Sequence, residues 1–200
     1  IPDGINAHGL SLTCSGMWSP RVVVDLRRAN SAWLTLNLQP ILRWARTADE
    51  AIQMIKEQPR ASGMQVIVAD GRRAVALEVT DKVVREFEAQ DGMLIRTNHY
   101  FAPDLQHLVP TFAENRSTYD RYGRAAEMLA QRYGRVMMQD ILRIMSDHSL
   151  PPADSICRHG DGDETGKTCA VTISCPEDRT MWAVLTNPCC GIQAIAQPGE

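Results

Sequence analysis

Three short polar stretches of this 200-residue chain hold side chains able to do chemistry. Thr97-Asn98-His99 closes a run rich in apolar and β-branched residues. An asparagine amide is a neutral donor, and aimed at a developing oxyanion it stabilises a tetrahedral intermediate without titrating. The same residues also suit a structural role, with Asn98 closing an Asx-turn and His99 packing at a strand end. The second stretch, Ser146 to Gly162, joins Asp147-His148 at a helix terminus to Ser155-Ile156-Cys157-Arg158-His159 in a loop. The planar fork of Arg158 suits a substrate carboxylate. Ser155 or Cys157 could serve as a nucleophile beside these histidines, or Cys157 could be buried as a small apolar residue. In the third stretch, Thr186 to Gly191, a strand stops at Asn-Pro before the adjacent Cys189 and Cys190. Vicinal disulfides are strained, so structural punctuation is expected there.

Standard signatures are missing from the sequence: there is no G-x-S-x-G elbow, no phosphate-binding loop and no H-E-x-x-H. Six cysteines occur without a C-x-x-C spacing, which argues against a zinc motif, and no metal is expected. Reduced thiols in a cytoplasmic protein are the expectation. A net charge of −3 with both signs interspersed offers no track for nucleic acid and no polybasic membrane patch. Apolar runs such as Val22-Val23-Val24 are far too short to span a bilayer.

The elements that must position these residues follow from hydrophobic period. With 44% apolar and 22% charged residues, the chain is expected to form a single domain over residues 1–200. A strand is expected from about Gly9 to Cys14, followed by a stretch of mixed period and a helix from Pro40 with Ile41, Leu42, Trp44 and Ala45 on one side. Thr47-Ala48-Asp49-Glu50 has the form of a capping box, and Ala48, Ala51, Ile52 and Ile55 then form a core-facing stripe that Pro59 ends. Four short runs, from "GMQVIVAD" to "MLIRTN", are parted by Asp70-Gly71, Thr80-Asp81 and Asp91-Gly92, which predicts a hairpin meander. Two helical stripes follow, one through Tyr122, Ala125, Ala126 and Leu129 and the other through Met138, Ile141, Leu142 and Met145. Two strands about a turn at Glu177-Asp178-Arg179 precede a tail expected to fray. Helices segregated from antiparallel strands make an α+β fold. The direct opening into a turn and an apolar strand suggests a start inside a domain.

Taken in order, "GINAHGLSLT", "ADEAIQMI", "ASGMQVIVAD", "ALEVT", "IRTNHY", "SDHSLPPADSICRHG" and "TNP" resemble the isopenicillin N acyltransferase family, a branch of the N-terminal nucleophile hydrolases, over nearly the whole chain. The most specific parts are the Thr-Asn-His strand end and the Ser-Ile-Cys-Arg-His loop. The resemblance implies an αββα four-layer sandwich of two antiparallel sheets between helices, incomplete here at the N-terminus. A precursor would cleave itself to expose a cysteine whose thiol is the nucleophile and whose α-amine, with an ordinary pKa of about 7.7–8.0, is the base. Asn98 would then be the catalytic oxyanion donor, and Ser155, Arg158 and His99 would contact substrate. Relatives carry the nucleophilic Cys upstream of the Gly-Ile-Asn strand, so the nucleophile is expected on a segment preceding Ile1. Where some relatives have a second asparagine donor, this chain has Cys14, Ser15 and Gly16.

The expected reaction is cleavage or transfer of the acyl group of a small linear amide through a thioester, with acyl-coenzyme A as a conceivable donor substrate and no resident cofactor. The expected partner is a missing N-terminal segment or a second copy of the chain, with no nucleic acid and no membrane. The rival expectation is a non-catalytic remnant or a ligand- or partner-binding module of the same fold.

Overall fold

A computed structural model of the protein describes residues 3–17, 19–22, 24, 34–160 and 166–198. The chain divides into two compact units, one of Ile1–Pro110, Ser174–Thr180 and Gln197–Glu200, the other of Thr111–Ile173 and Met181–Ala196. Its helices come in pairs between runs of strands, and the strands pair antiparallel, which makes the fold α+β. No helix among the described residues is long and apolar enough to cross a membrane.

In the first unit, five strands lie in chain order and pair antiparallel: β1 (Gly4–Ile5), β2 (Ser11–Gly16), β3 (Met64–Ala69), β4 (Ala74–Val79) and β5 (Val84–Glu88). Alternation sorts their side chains onto two faces. Leu12, Val66, Val68, Val75 and Leu77 form one face and bury it against Leu38 and Ile41 of α1 (Leu34–Trp44) and Ala48, Ala51, Ile52 and Ile55 of α2 (Ala48–Glu57). Thr47 caps α2, its hydroxyl accepting from the Glu50 amide as the sequence pattern predicts. At the β1–β2 turn the Asn6 amide donates to the carbonyls of Leu42 and Ala45, satisfying orphan groups at the end of α1. Gly9 follows at φ +81°, where an added Cβ would lie 2.5 Å from the Pro176 carbonyl oxygen.

Three expectations need correction. Helix α1 begins at Leu34, so Pro40 lies inside it. The lost backbone bond is outweighed because the adjacent Leu38 and Ile41 are fully buried, while Trp44 is exposed beside Arg43. The second correction is that "MLIRTN" forms no strand. Asp91 and Gly92 make the expected turn with positive φ, but pairing stops after the single bridge Gln90–Met93. Third, the tail expected to fray contributes β8 (Ala194–Ala196), which pairs antiparallel with β7 (Thr180–Val184) in a three-stranded sheet of order β6 (Val171–Cys175), β7, β8. The mixed-period stretch between Gly16 and Trp44 lies partly outside the described residues.

The second unit contains α3 (Arg116–Ala130) and α4 (Met138–Met145) where the two helical stripes predict them. Tyr122, Ala125, Ala126 and Leu129 are only half-buried, and α3 buries Thr118 instead.

Candidate functional site

The face of the first sheet opposite α1 and α2 holds the segment that carries Thr97-Asn98-His99. Cross-strand register sets Ser15 opposite Gln65, Gln65 opposite Glu78 and Glu78 opposite Arg85, a row of polar side chains across β2–β5. This row grips the segment after the Asp91-Gly92 turn. The Ser15 hydroxyl donates to the Thr97 carbonyl at 2.7 Å, and the Gln65 amide donates to the His99 carbonyl at 2.6 Å. The Glu78 carboxylate accepts from the backbone amides of Phe101 and Ala102 at 2.7 and 2.8 Å. Arg85 reaches the Asp104 carboxylate at 2.7 Å. Residues 97–104 are therefore held mainly by side chains of distant strands, which substitute for a ladder.

Asn98 is half-buried between the buried Thr97 and His99. Its amide nitrogen donates to the Gly16 carbonyl at 2.5 Å and lies 3.5 Å from the Ser15 hydroxyl, at the C-terminal end of β2. This fixes a neutral donor without ionising it. The His99 ring is buried, with Nδ1 3.2 Å from the Thr97 hydroxyl and its plane tilted against Phe101 at 4.7 Å.

Beneath the segment, Glu78 is fully buried, with the Arg96 guanidinium 3.6 Å away between the rings of Phe87 and Phe101. Burial raises the Glu78 carboxyl above its ordinary value, although the Ala102 and Phe101 amides and Arg96 pull the other way. Cys14 on β2 is pushed up to about 12, first by burial and then by the neighbouring Asp3 carboxylate. A thiol so held stays protonated near neutrality and is a poor nucleophile.

The second unit holds the other expected residues. Ser155 is buried and its hydroxyl donates to the Leu150 carbonyl at 2.6 Å, closing the loop after α4. The Arg158 backbone is fixed on both sides: its amide donates to the Thr168 hydroxyl, and its carbonyl accepts from the Asn187 side chain at 2.6 Å. The guanidinium packs against Gly166, where an added Cβ would sit 2.7 Å from an Arg158 terminal nitrogen. Its Nε is buried with no hydrogen-bond partner among the described residues. Arg121 on α3 is close enough to feel this charge, its own guanidinium being pulled down to about 10 by burial first and Arg158 second. The Asp154 carboxylate acts on Arg121 in the opposite direction.

Sequence spacing did not reveal a further cluster beside Arg158. The ligating atoms of His148, Cys157, His159 and Cys189 all lie within 4.8 Å of one another. The two imidazole Nε2 atoms are 2.9 Å apart, and the sulfurs of Cys157 and Cys189 lie 3.8 and 3.5 Å from the His159 Nε2. Cys157 is buried, as its small apolar character allows, while the other three are exposed. All six cysteines are free. The C-x-H spacing of Cys157 and His159 was the one local signal available.

A family model described as acyl-coenzyme A:6-aminopenicillanic acid acyl-transferase matches residues 1–189. No curated protein matches the chain.

Proposed function

From the premise that this chain belongs to the acyl-coenzyme A:6-aminopenicillanic acid acyl-transferase family, we propose that it forms part of an enzyme that transfers or hydrolyses the acyl group of a small linear amide through a cysteine thioester. The observation that carries this reading is the Asn98 amide, neutral, half-buried and fixed against Gly16 by flanking residues that the sheet itself anchors. A donor already oriented pays no reorganisation cost when negative charge develops on a carbonyl oxygen. Its NH₂ group donates to Gly16 at 2.5 Å and, over a long 3.5 Å, to Ser15, and the second of these hydrogens is the one an oxyanion would take over.

The nucleophile is proposed to lie on polypeptide preceding Ile1, and the fold of the whole enzyme to be the four-layer αββα sandwich. Cys14 does not replace that nucleophile, because its thiol is held protonated. In the second unit, Arg158 takes the acid group of the substrate, and its buried Nε–H, without a hydrogen-bond partner among the described residues, supports that role. Ser155 acts on substrate through the loop it closes, since its hydroxyl already donates to Leu150. His99 supports the site by shaping the Thr97–Phe101 segment. Attack by the thiolate expels the amine, or coenzyme A from an acyl donor, and forms the thioester. Water or a second amine then takes the acyl group and regenerates the thiol.

The test is intact-mass spectrometry of the polypeptide that carries the preceding segment, incubated with an acyl-coenzyme A and separately with N-acyl amides. A single acyl adduct, released by hydroxylamine and mapped to a newly exposed N-terminal cysteine, is expected. No adduct with either donor class, while the folded protein still binds the amide, would establish the rival ligand-binding module.

A further inference from the structure

The cluster on the loop after α4 has a purpose the acyl-transfer reading does not use. Its donors are two imidazole nitrogens and two sulfurs, with no carboxylate among them. This set suits a borderline-soft divalent ion and discriminates against calcium and magnesium, which require oxygen. In a tetrahedral site with metal–nitrogen bonds of about 2.0–2.1 Å and metal–sulfur bonds of about 2.3 Å, neighbouring donors lie about 3.3–3.8 Å apart. The separations of 2.9, 3.5 and 3.8 Å from the His159 Nε2 already bracket that range.

The surroundings are also built for the purpose. The Cys157 amide donates to the Asp147 carbonyl at 3.1 Å, joining the residue that precedes His148 to a second ligand. The side chain of Asn187, itself buried, donates to the Arg158 carbonyl at 2.6 Å and lies 3.9 Å from the Cys157 sulfur. An amide N–H directed at sulfur is the kind of outer contact that orients and stabilises a thiolate ligand. Asn187 also begins the short turn Pro188–Cys190 that carries Cys189.

We propose that His148, Cys157, His159 and Cys189 form a tetrahedral Cys₂His₂ site for a zinc-class divalent cation. Four protein donors complete the coordination shell, so the role is structural. Binding releases the two thiol protons to solvent and changes no oxidation state. The ion ties the loop at 148–159 to the turn at 188–190 and thereby fixes Arg158, which sits between two of the ligands. The inference does not depend on the proposed acyl chemistry, and its readouts involve no turnover.

The experiment is metal analysis of the protein purified without chelator, followed by Co²⁺ titration of the metal-free form. About one zinc per chain is expected, with the visible bands of tetrahedral cobalt and a near-ultraviolet thiolate-to-cobalt band for a four-ligand Cys₂His₂ site. Cys189→Ser and His148→Ala alter exposed side chains, so their folding should survive. Each is expected to weaken Zn²⁺ binding by more than the roughly 10- to 100-fold that loss of an outer-shell partner costs, and Cys189→Ser should also diminish the thiolate band. Cys190→Ser should leave binding unchanged. The proposal is overturned if the wild-type protein binds neither ion with a thiolate band or if Cys189→Ser binds as the wild type does. It is equally overturned if Cys157 and Cys189 are recovered as a disulfide in protein kept with Zn²⁺.

Discussion

The segment 97–104 and the loop 146–160 are both polar, irregular stretches, yet they are held in opposite ways. In the first, side chains of the sheet end on the segment's backbone: Ser15 on Thr97, Gln65 on His99 and Glu78 on Phe101 and Ala102. In the second, much of the backbone closes on itself, with the amides of Asp154 and Ser155 on the Pro151 carbonyl and that of Cys157 on Asp147. The first arrangement commits polar side chains to architecture and presents one amide, Asn98. The second lets imidazoles and thiols converge on each other. Polar groups gathered without a structural partner are where a ligand is expected, whereas polar groups ending on backbone are where a mutation should cost stability.

Substitutions should therefore behave differently in the two regions. The largest stability effect is expected for Glu78→Leu, which strands two backbone amides and removes the carboxylate beside the half-buried Arg96 guanidinium. Breaking such a pair costs about 3–5 kcal/mol, measurable by denaturant unfolding. Gln65→Leu should cost about 1–3 kcal/mol, since the buried His99 carbonyl loses the donor that Gln65 supplies.

A pH series sharpens the same point. Because burial raises the Glu78 carboxyl above its ordinary 4.5, the folded state keeps that proton to higher pH than the unfolded chain does. The stabilisation from its protonation is complete below 4.5 and is lost as pH rises through the folded value. The difference in unfolding free energy between wild type and Glu78→Gln should accordingly shift against the wild type as pH increases from 4.5, and a pH-independent difference would count against the assigned burial. The smallest effect is expected in the second region. In metal-free protein, His148→Ala should change stability by no more than about 0.5 kcal/mol because the side chain is exposed. A loss as large as that of Gln65→Leu would erase the contrast.

What the sequence revealed follows the same division between local and distant causes. Thr47 and the Ala48, Ala51, Ile52, Ile55 stripe announce α2 because capping and burial lie within a few turns of each other. Strands β3 to β5 are legible from Asp70-Gly71 and Thr80-Asp81, which are local turn signals. Residues 93–98 have the period of a strand yet form none, because the segment from Thr97 to Phe101 is held by Ser15, Gln65 and Glu78 of β2, β3 and β4, and no pattern within the segment encodes those distant partners. Asn98 could be singled out by type, but its contact with Gly16 could not. Similarly, Cys157 and His159 are neighbours in sequence, while His148 and Cys189 join them only through the turns that fold the second unit.

The oxyanion-donor role proposed for Asn98 is tested by the single-turnover rate of acyl-enzyme formation. The measurement compares wild type and Asn98→Ala in the polypeptide that includes the preceding segment, with circular dichroism confirming that the variant is folded. A loss of about 10²- to 10³-fold in that rate is predicted. An unchanged rate in a folded variant would contradict that role and leave Asn98 as a structural anchor at the end of β2.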